Sequence, residues 1–74
     1  MTDRPLTPAL LRTIGECLYG RQWRAPLARD LALSQRTVRR YELGQSLMPD
    51  DLGDRLRRLL QERQVRIEAA LSQL

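Results

Sequence analysis

The sequence predicts an all-α fold, a compact domain of four helices of which the last is long. Apolar residues recur at three- and four-residue spacing in four stretches, and this spacing places them on one face of a helix. Prolines stand where three of these stretches begin, and glycines stand where two of them end. Both placements suit helix boundaries, because Pro is tolerated in a first helical turn and Gly readily adopts the left-handed conformation that ends many helices. The chain of 74 residues is predicted to form one domain, residues 1–74.

The first helix is predicted to begin at Thr7-Pro8, as N-cap and first helical residue, and to end at Gly20. Its expected apolar face consists of Leu10, Leu11, Ile14, Cys17 and Leu18. Gly15 lies inside this helix and costs about 1 kcal/mol relative to Ala, which indicates a close contact with another helix. Cys17 is the single cysteine, so it can form neither an intramolecular disulfide nor a cysteine-based zinc site, and it is predicted to be a buried small hydrophobe.

Two short helical patterns separated by a break occupy residues 24–43 and predict a helix-turn-helix. In the first, Pro26 belongs to the opening turn, and one face is lined by Leu27, Ala28, Leu31 and Ala32. Trp23 precedes this helix and is expected to pack against it, with donation of its indole N–H to a phosphate as the alternative. Ser34 is the predicted N-cap of the second helix, accepting a hydrogen bond from a backbone N–H of Arg36 or Thr37.

The second helix of the pair has one polar, basic side and one apolar side. With each residue advancing about 100°, the polar side carries Gln35, Arg36, Arg39 and Arg40, whereas Val38 and Tyr41 lie on the opposite, buried side. Leu43 falls on the basic side and departs from this pattern. Gly44 is predicted to end the helix in a left-handed turn.

These residues resemble the helix-turn-helix of the lambda-repressor and Cro-like DNA-binding proteins. The resemblance covers residues 24–44 and is carried by Leu27-Ala28, Leu31, Ala32-Leu33, Ser34, Val38, Tyr41 and Glu42-Leu43-Gly44. Ala32 stands where the family usually has Gly, and we predict a positive φ there; a still-helical Ala32 is the alternative. A helical pair with a purely structural role shares the same apolar spacing.

The resemblance implies binding to duplex DNA, with the second helix in the major groove. According to this resemblance, the residues that read bases are Gln35, Arg36, Arg39 and Arg40. The residues that bind phosphates are, on the same basis, Arg24, Ser34, Thr37, Gln45 and Ser46. For Thr37, bracing the start of the helix is an alternative role.

The distribution of charge supports a nucleic-acid partner. The formal net charge is +4, and all of the excess lies in residues 21–44, since the segments on either side sum to zero. All 13 cationic residues are Arg, which can bind guanine O6 and N7 through two hydrogen bonds and can also clamp phosphate. For the arginines outside residues 21–44, a general compositional preference for Arg over Lys is the simpler explanation.

The remaining pattern predicts a loop and then a long helix within residues 50–74. Gln45 and Ser46 are expected to face phosphates, and Leu47 and Met48 to turn inward. The long helix has an apolar stripe interrupted by Arg63 and Gln64; its members are Leu52, Leu56, Leu59, Leu60, Ile67, Ala70, Leu71 and Leu74. The half beyond the interruption exceeds what a compact domain needs to cover, so we predict homodimerisation through Ile67, Ala70, Leu71 and Leu74. The alternative is a bend near residues 61–64 that folds the end back onto its own domain.

The composition also favours some functional classes over others. The sequence contains no His, no glycine-rich phosphate loop and only scattered carboxylates, so we expect neither an enzyme nor a metal or cofactor site. No apolar run approaches the roughly 20 residues of a membrane span, and no leader pattern is evident, which predicts a soluble cytoplasmic protein. The predicted function is a homodimeric repressor of a palindromic operator, and autoregulation is one form that this repression could take. The alternative is an antitoxin-like or accessory module that binds another protein through its last helix.

Overall fold

A computed structural model describes residues 5–74, and over this range the chain is all-helical, with four helices and no strand. The helices are α1 (Pro8–Tyr19), α2 (Arg24–Asp30), α3 (Gln35–Glu42) and α4 (Leu52–Ser72). The predicted fold class, including the long last helix, is confirmed. One core joins all four helices, and its buried side chains are Leu11, Leu18, Trp23, Leu27, Ala28, Leu31, Val38, Tyr41, Leu52 and Leu56.

The predicted boundaries of α1 are confirmed by its hydrogen bonds. The Thr7 hydroxyl accepts from the backbone N–H of Leu10 at 3.1 Å, and Gly20 ends the helix at a φ of 81°. Gly15 lies in close contact with Trp23, because a Cβ built on Gly15 would stand 2.2 Å from Cε3 of the indole ring. The indole is 1% exposed. The absence of a side chain at position 15 therefore makes room for the largest residue of the core.

The prediction that Cys17 is buried is wrong, because its side chain is exposed. The line through Leu11 and Leu18 defines the buried face of α1, and Cys17 lies roughly 100–120° away from it around the helix. Leu10 lies at a similar angle and is 38% exposed. The buried face of α1 is thus narrower than its apolar residues suggest.

The turn between α2 and α3 is a left-handed C-terminal cap centred on Ala32. Ala32 has a φ of 56°, and its N–H donates to the carbonyl of Arg29 at 3.1 Å. The N–H of Leu33 donates to the carbonyl of Ala28 at 2.8 Å. These two bonds define a Schellman motif, the arrangement in which Gly is usually found at the left-handed position. The positive φ predicted at Ala32 is confirmed, and the still-helical alternative is wrong.

Replacing Ala32 with Gly is expected to raise the free energy of unfolding by about 0.5 to 1 kcal/mol, because Gly carries no Cβ penalty in the left-handed conformation. Ala32 is exposed, so no buried contact is lost. A urea denaturation curve for each protein measures the difference. A lower midpoint for Ala32→Gly would contradict the expectation.

The approach to α4 differs from the prediction at two points. The helix begins at Leu52 and ends at Ser72 rather than spanning 50–74. Asp50 and Asp51, which were predicted to be helical, form a turn in front of it. Leu47 was expected to turn inward but is 97% exposed, whereas Met48 packs against the core. Of these two adjacent side chains, only that of Met48 therefore contributes to the core.

The long helix α4 continues without a break through the polar residues at its middle, so the predicted alternative of a bend near residues 61–64 is wrong. Leu52 and Leu56 are buried, and Leu59 and Leu60 pack at the edge of the core. From residue 64 onwards every side chain is exposed. None of the helices in the described part of the chain combines the length and apolar character that a membrane span requires.

Two arginines of α4 bind the C-terminal ends of other helices. The guanidinium of Arg55 donates to the carbonyl of Leu31 at the end of α2, and that of Arg63 donates to the carbonyl of Leu18 near the end of α1 at 2.6 Å. The last carbonyls of a helix lack partners within it, and cations are favoured there. The position of Arg63 within the apolar stripe is thus explained by its hydrogen bond to the end of α1. A general preference for Arg over Lys does not account for these two contacts.

Candidate nucleic-acid interface

The helix α3 has a side-chain cap at its start and a backbone cap at its end. At its start the Ser34 hydroxyl accepts from the backbone N–H of Thr37 at 3.1 Å, which confirms the predicted N-cap. At its end Gly44 adopts a φ of 71°, as predicted, and the N–H of Gln45 donates to the carbonyl of Arg40 at 2.8 Å. Both ends of this short helix are therefore well defined, so its side chains project in fixed directions.

The two sides of α3 have the predicted burial. Val38 is 1% exposed and Tyr41 is 8% exposed. The four residues implied as base-reading are all exposed: Gln35, Arg36, Arg39 and Arg40. Within residues 5–74, none of the three arginines forms an ion pair with a carboxylate. The structure therefore brings the predicted base-reading residues together on one solvent-facing surface, which we call the α3 face.

Leu43 also belongs to the α3 face, as its helical position indicated. It is 55% exposed and follows the last residue of the helix. The resulting surface has the apolar Leu43 at one end, the neutral polar Gln35 at the other and cationic groups between them.

Polar groups flank α3 at both ends, where the predicted phosphate-binding residues lie. The hydroxyl oxygens of Ser34 and Thr37 are 2.9 Å apart, so one hydroxyl donates to the other. Thr37 therefore braces the start of the helix, while one hydroxyl hydrogen of the pair stays available for another acceptor. Gln45 is exposed and Ser46 is half-buried in the loop that follows α3.

Arg24 makes contacts that the sequence did not indicate. Its Nε and Nη2 atoms donate to the two carboxylate oxygens of Glu42 at 2.6 and 2.5 Å, and Arg12 of α1 lies 3.4 Å from the same carboxylate. The Glu42 side chain is 5% exposed, while that of Arg24 is 43% exposed. The hydrogen bonds from Arg24 hold the pKa of Glu42 below its ordinary value, and the same bonds raise the pKa of Arg24. This cluster joins α1, α2 and the end of α3.

Arg24 still has N–H groups available beyond this cluster. A guanidinium has five N–H donors, and Glu42 occupies one edge of it through Nε and Nη2. The guanidinium carbon also lies 4.8 Å from the centre of the Trp23 ring.

Because Trp23 is almost completely buried, its predicted packing role is confirmed, and the alternative role of donating to a phosphate is not.

A second polar contact joins the end of α1 to the end of α2. The Tyr19 hydroxyl donates to the Asp30 carboxylate at 2.6 Å. Burial, together with this hydrogen bond, raises the pKa of Tyr19 to about 12, and the bond lowers the pKa of Asp30. Arg63 lies over the Tyr19 ring at 5.6 Å. These contacts hold α2, and with it the start of the turn, against α1 and α4.

The contacts of Glu42 with Arg24 and Arg12, here called the Glu42 cluster, should make the free energy of unfolding depend on pH in the acid range. Because the folded-state pKa of Glu42 is depressed, its stabilisation is fully present above the ordinary pKa of about 4.3 and is lost as the pH falls through the folded value. Glu42→Gln is therefore expected to lower the free energy of unfolding by about 1 to 2 kcal/mol at pH 7 and by progressively less below about pH 4.3. Urea denaturation of both proteins across this range provides the measurement.

The control for this comparison is Arg57→Gln, which removes an exposed ion pair with Asp54 whose N–O distance is 3.7 Å. This change should alter stability by less than about 0.5 kcal/mol at neutral pH. A Glu42→Gln effect that stayed constant from pH 7 to pH 3 would show that the carboxylate charge does not stabilise the cluster.

Comparison of the chain with protein-family models, with curated proteins and with solved structures finds no match.

Proposed function

We propose that this chain is a sequence-specific regulator of transcription of the lambda-repressor and Cro-like type, which binds duplex DNA through α3. The observation that carries the proposal is the α3 face, where three arginines and a glutamine are exposed while the reverse side of the helix is buried. Within residues 5–74 the three arginines of this helix have no carboxylate partner, and such an arrangement favours an anionic ligand. A helix of this diameter fits the major groove of B-DNA.

The phosphate contacts are assigned to the groups that flank α3. Ser34 and Thr37 lie at its start, and Gln45 and Ser46 follow its end. Arg24 is held beside the end of α3 by its hydrogen bonds to Glu42, and the other edge of its guanidinium is free. Contacts of this kind fix the orientation of a protein on DNA without reading its sequence. In this arrangement Arg24 has two roles, since it holds Glu42 with one edge and a phosphate with the other.

Homodimerisation is assigned to the end of α4. The apolar stripe that reaches the core through Leu52 and Leu56 continues along the same side of the helix to Ile67 and Leu71, which are 52% and 63% exposed. A second copy presents the same stripe, and a two-fold dimer would bring two recognition helices to a palindromic site. Bound at such an operator in the cytoplasm, the dimer represses by blocking polymerase and requires no cofactor.

Arg39→Ala is expected to separate base reading from general DNA affinity. For each half-site that it contacts, its affinity for a duplex selected by the wild-type protein from a random pool should fall about 5- to 150-fold, with relaxed preference at one base position per half-site. Its affinity for random duplexes should fall much less. Fluorescence titration with both duplexes measures the two effects.

The control is Arg58→Ala, which removes an exposed arginine of α4 that lies away from the α3 face. This variant should bind both duplexes as the wild type does. Equal losses for Arg39→Ala on selected and random DNA would contradict its base-reading role. Failure of the wild-type protein to bind any duplex would favour the alternative, a module that binds another protein through α4.

A further inference from the structure

The chemistry of the α3 face indicates which bases it selects. The buried side of α3 is defined by Val38 and Tyr41, and the outward direction lies about 180° from their mean. Three arginines lie within about 50° of that outward direction: Arg36, Arg39 and Arg40. Gln35 lies further to one side, in the first turn of the helix.

The arginines of this face can donate hydrogen bonds but cannot accept them. Each base offers a different pattern in the major groove: guanine has two acceptors, adenine one acceptor and one donor, cytosine a donor, and thymine an acceptor beside a methyl group. Only guanine offers a guanidinium two acceptors side by side. Among the described residues no carboxylate lies on this face to accept from cytosine, because Glu42 is buried against Arg24 and Arg12. Gln35 is the one side chain here that both donates and accepts, as adenine requires.

From this chemistry we propose that each half-site is guanine-rich, with at least two guanines read by Arg36, Arg39 and Arg40 and an adenine read by Gln35. This inference rests on the proposed function, since it names the bases that the α3 face binds. Arg36 and Arg40 are separated by one helical turn, or about 6 Å along the helix axis. That distance corresponds to about two base pairs, so the guanines lie within a run of about four base pairs, allowing for side-chain reach.

The closing experiment begins with selection of bound fragments from random duplexes by the full chain. Guanines in each half-site are then replaced by 7-deazaguanine, which lacks the N7 acceptor, or by inosine, which keeps both O6 and N7 and lacks only the minor-groove amino group. We expect 7-deazaguanine to weaken wild-type binding at least about fivefold at two positions, and inosine to weaken it less than about twofold. In Arg39→Ala one of the two 7-deazaguanine effects should disappear.

The outcomes separate the inference from the proposed function. Selection of a defined sequence without clustered guanines would overturn the inference and leave DNA binding standing. Guanines whose 7-deaza substitution weakened wild type, Arg36→Ala, Arg39→Ala and Arg40→Ala equally would also overturn it, because the arginines would then bind phosphate. Absence of binding to any duplex would overturn the proposed function itself.

Discussion

Gly15→Ala is expected to lower the free energy of unfolding by about 1 to 3 kcal/mol, because the added methyl group would overlap with atoms of the Trp23 ring. The added Cβ would stand 2.2, 2.5 and 2.9 Å from three ring atoms. The indole is rigid and 1% exposed, so it can move only by displacing the core around it. Replacing a helical Gly with Ala normally stabilises by up to about 1 kcal/mol, and this overpacking reverses the sign. Urea denaturation followed by far-ultraviolet circular dichroism measures the loss, and this signal is also present in variants that lack Trp23.

Gly53→Ala is the matched control, since it makes the same change in α4, where no atom from another part of the described chain lies within 4 Å of the new Cβ. It should be neutral or stabilising by up to about 1 kcal/mol. A double variant, Gly15→Ala with Trp23→Leu, should be more stable than the sum of its two single changes predicts, because the smaller side chain removes the clash. Equal stability of Gly15→Ala and Gly53→Ala would show that the contact does not constrain the core.

Replacing both Ile67 and Leu71 with Glu is expected to convert the proposed dimer into a monomer that binds DNA weakly and without operator preference. One α3 face offers a few base contacts of about 1 to 3 kcal/mol each, whereas specific binding exceeds non-specific binding by roughly 4 to 10 kcal/mol. Two joined copies can reach that difference more readily than one. Because the variant leaves the α3 face unchanged, salt-sensitive binding to any duplex should persist. Sedimentation and DNA titration on the same samples measure both properties.

Val65→Glu is the control for this double variant. Val65 is 65% exposed on the same segment of α4 but lies roughly 160° around the helix from Ile67. It should leave both the dimer and the operator preference intact. A double variant that remained dimeric, or a monomer that kept full specificity, would contradict dimerisation through this stripe. A wild-type chain that sediments as a monomer would contradict the dimer itself.

The fold was predictable from the sequence largely because its helices carry local boundary signals. Thr7, Ser34 and Gly44 each act on residues within one turn of themselves, so their roles can be recognised without knowing what packs around them. The left-handed turn at Ala32 was indicated by the resemblance instead, since Ala32 stands where the resembled family usually has Gly, the residue that adopts a positive φ most readily. The grouping of Gln35 and the arginines on one face follows from helical periodicity alone.

The contacts that orient these helices were not predictable in the same way. Arg24 and Glu42 are 18 positions apart in the sequence, and Arg63 and Leu18 are 45 apart, so their meeting depends on how whole helices pack. Burial at the edges of a helix face is equally non-local. Cys17 is next to the buried Leu18 and Leu47 is next to the half-buried Met48, and only the position of the neighbouring helices determines that Cys17 and Leu47 are exposed.

The hydrogen bonds from Arg55 and Arg63 restrain the orientation of α4 relative to the helices on which they end. They attach this helix at two points to the carboxyl ends of α2 and α1, which restrains its movement relative to the helix-turn-helix. In a dimer joined at the end of α4, this restraint would favour one separation and one relative rotation of the two recognition helices. Each base pair inserted between half-sites moves one of them by about 3.4 Å and turns it by about 35° around the DNA. A dimer restrained in this way would follow such a change poorly, so its affinity for an operator should depend strongly on the length of the spacer between half-sites.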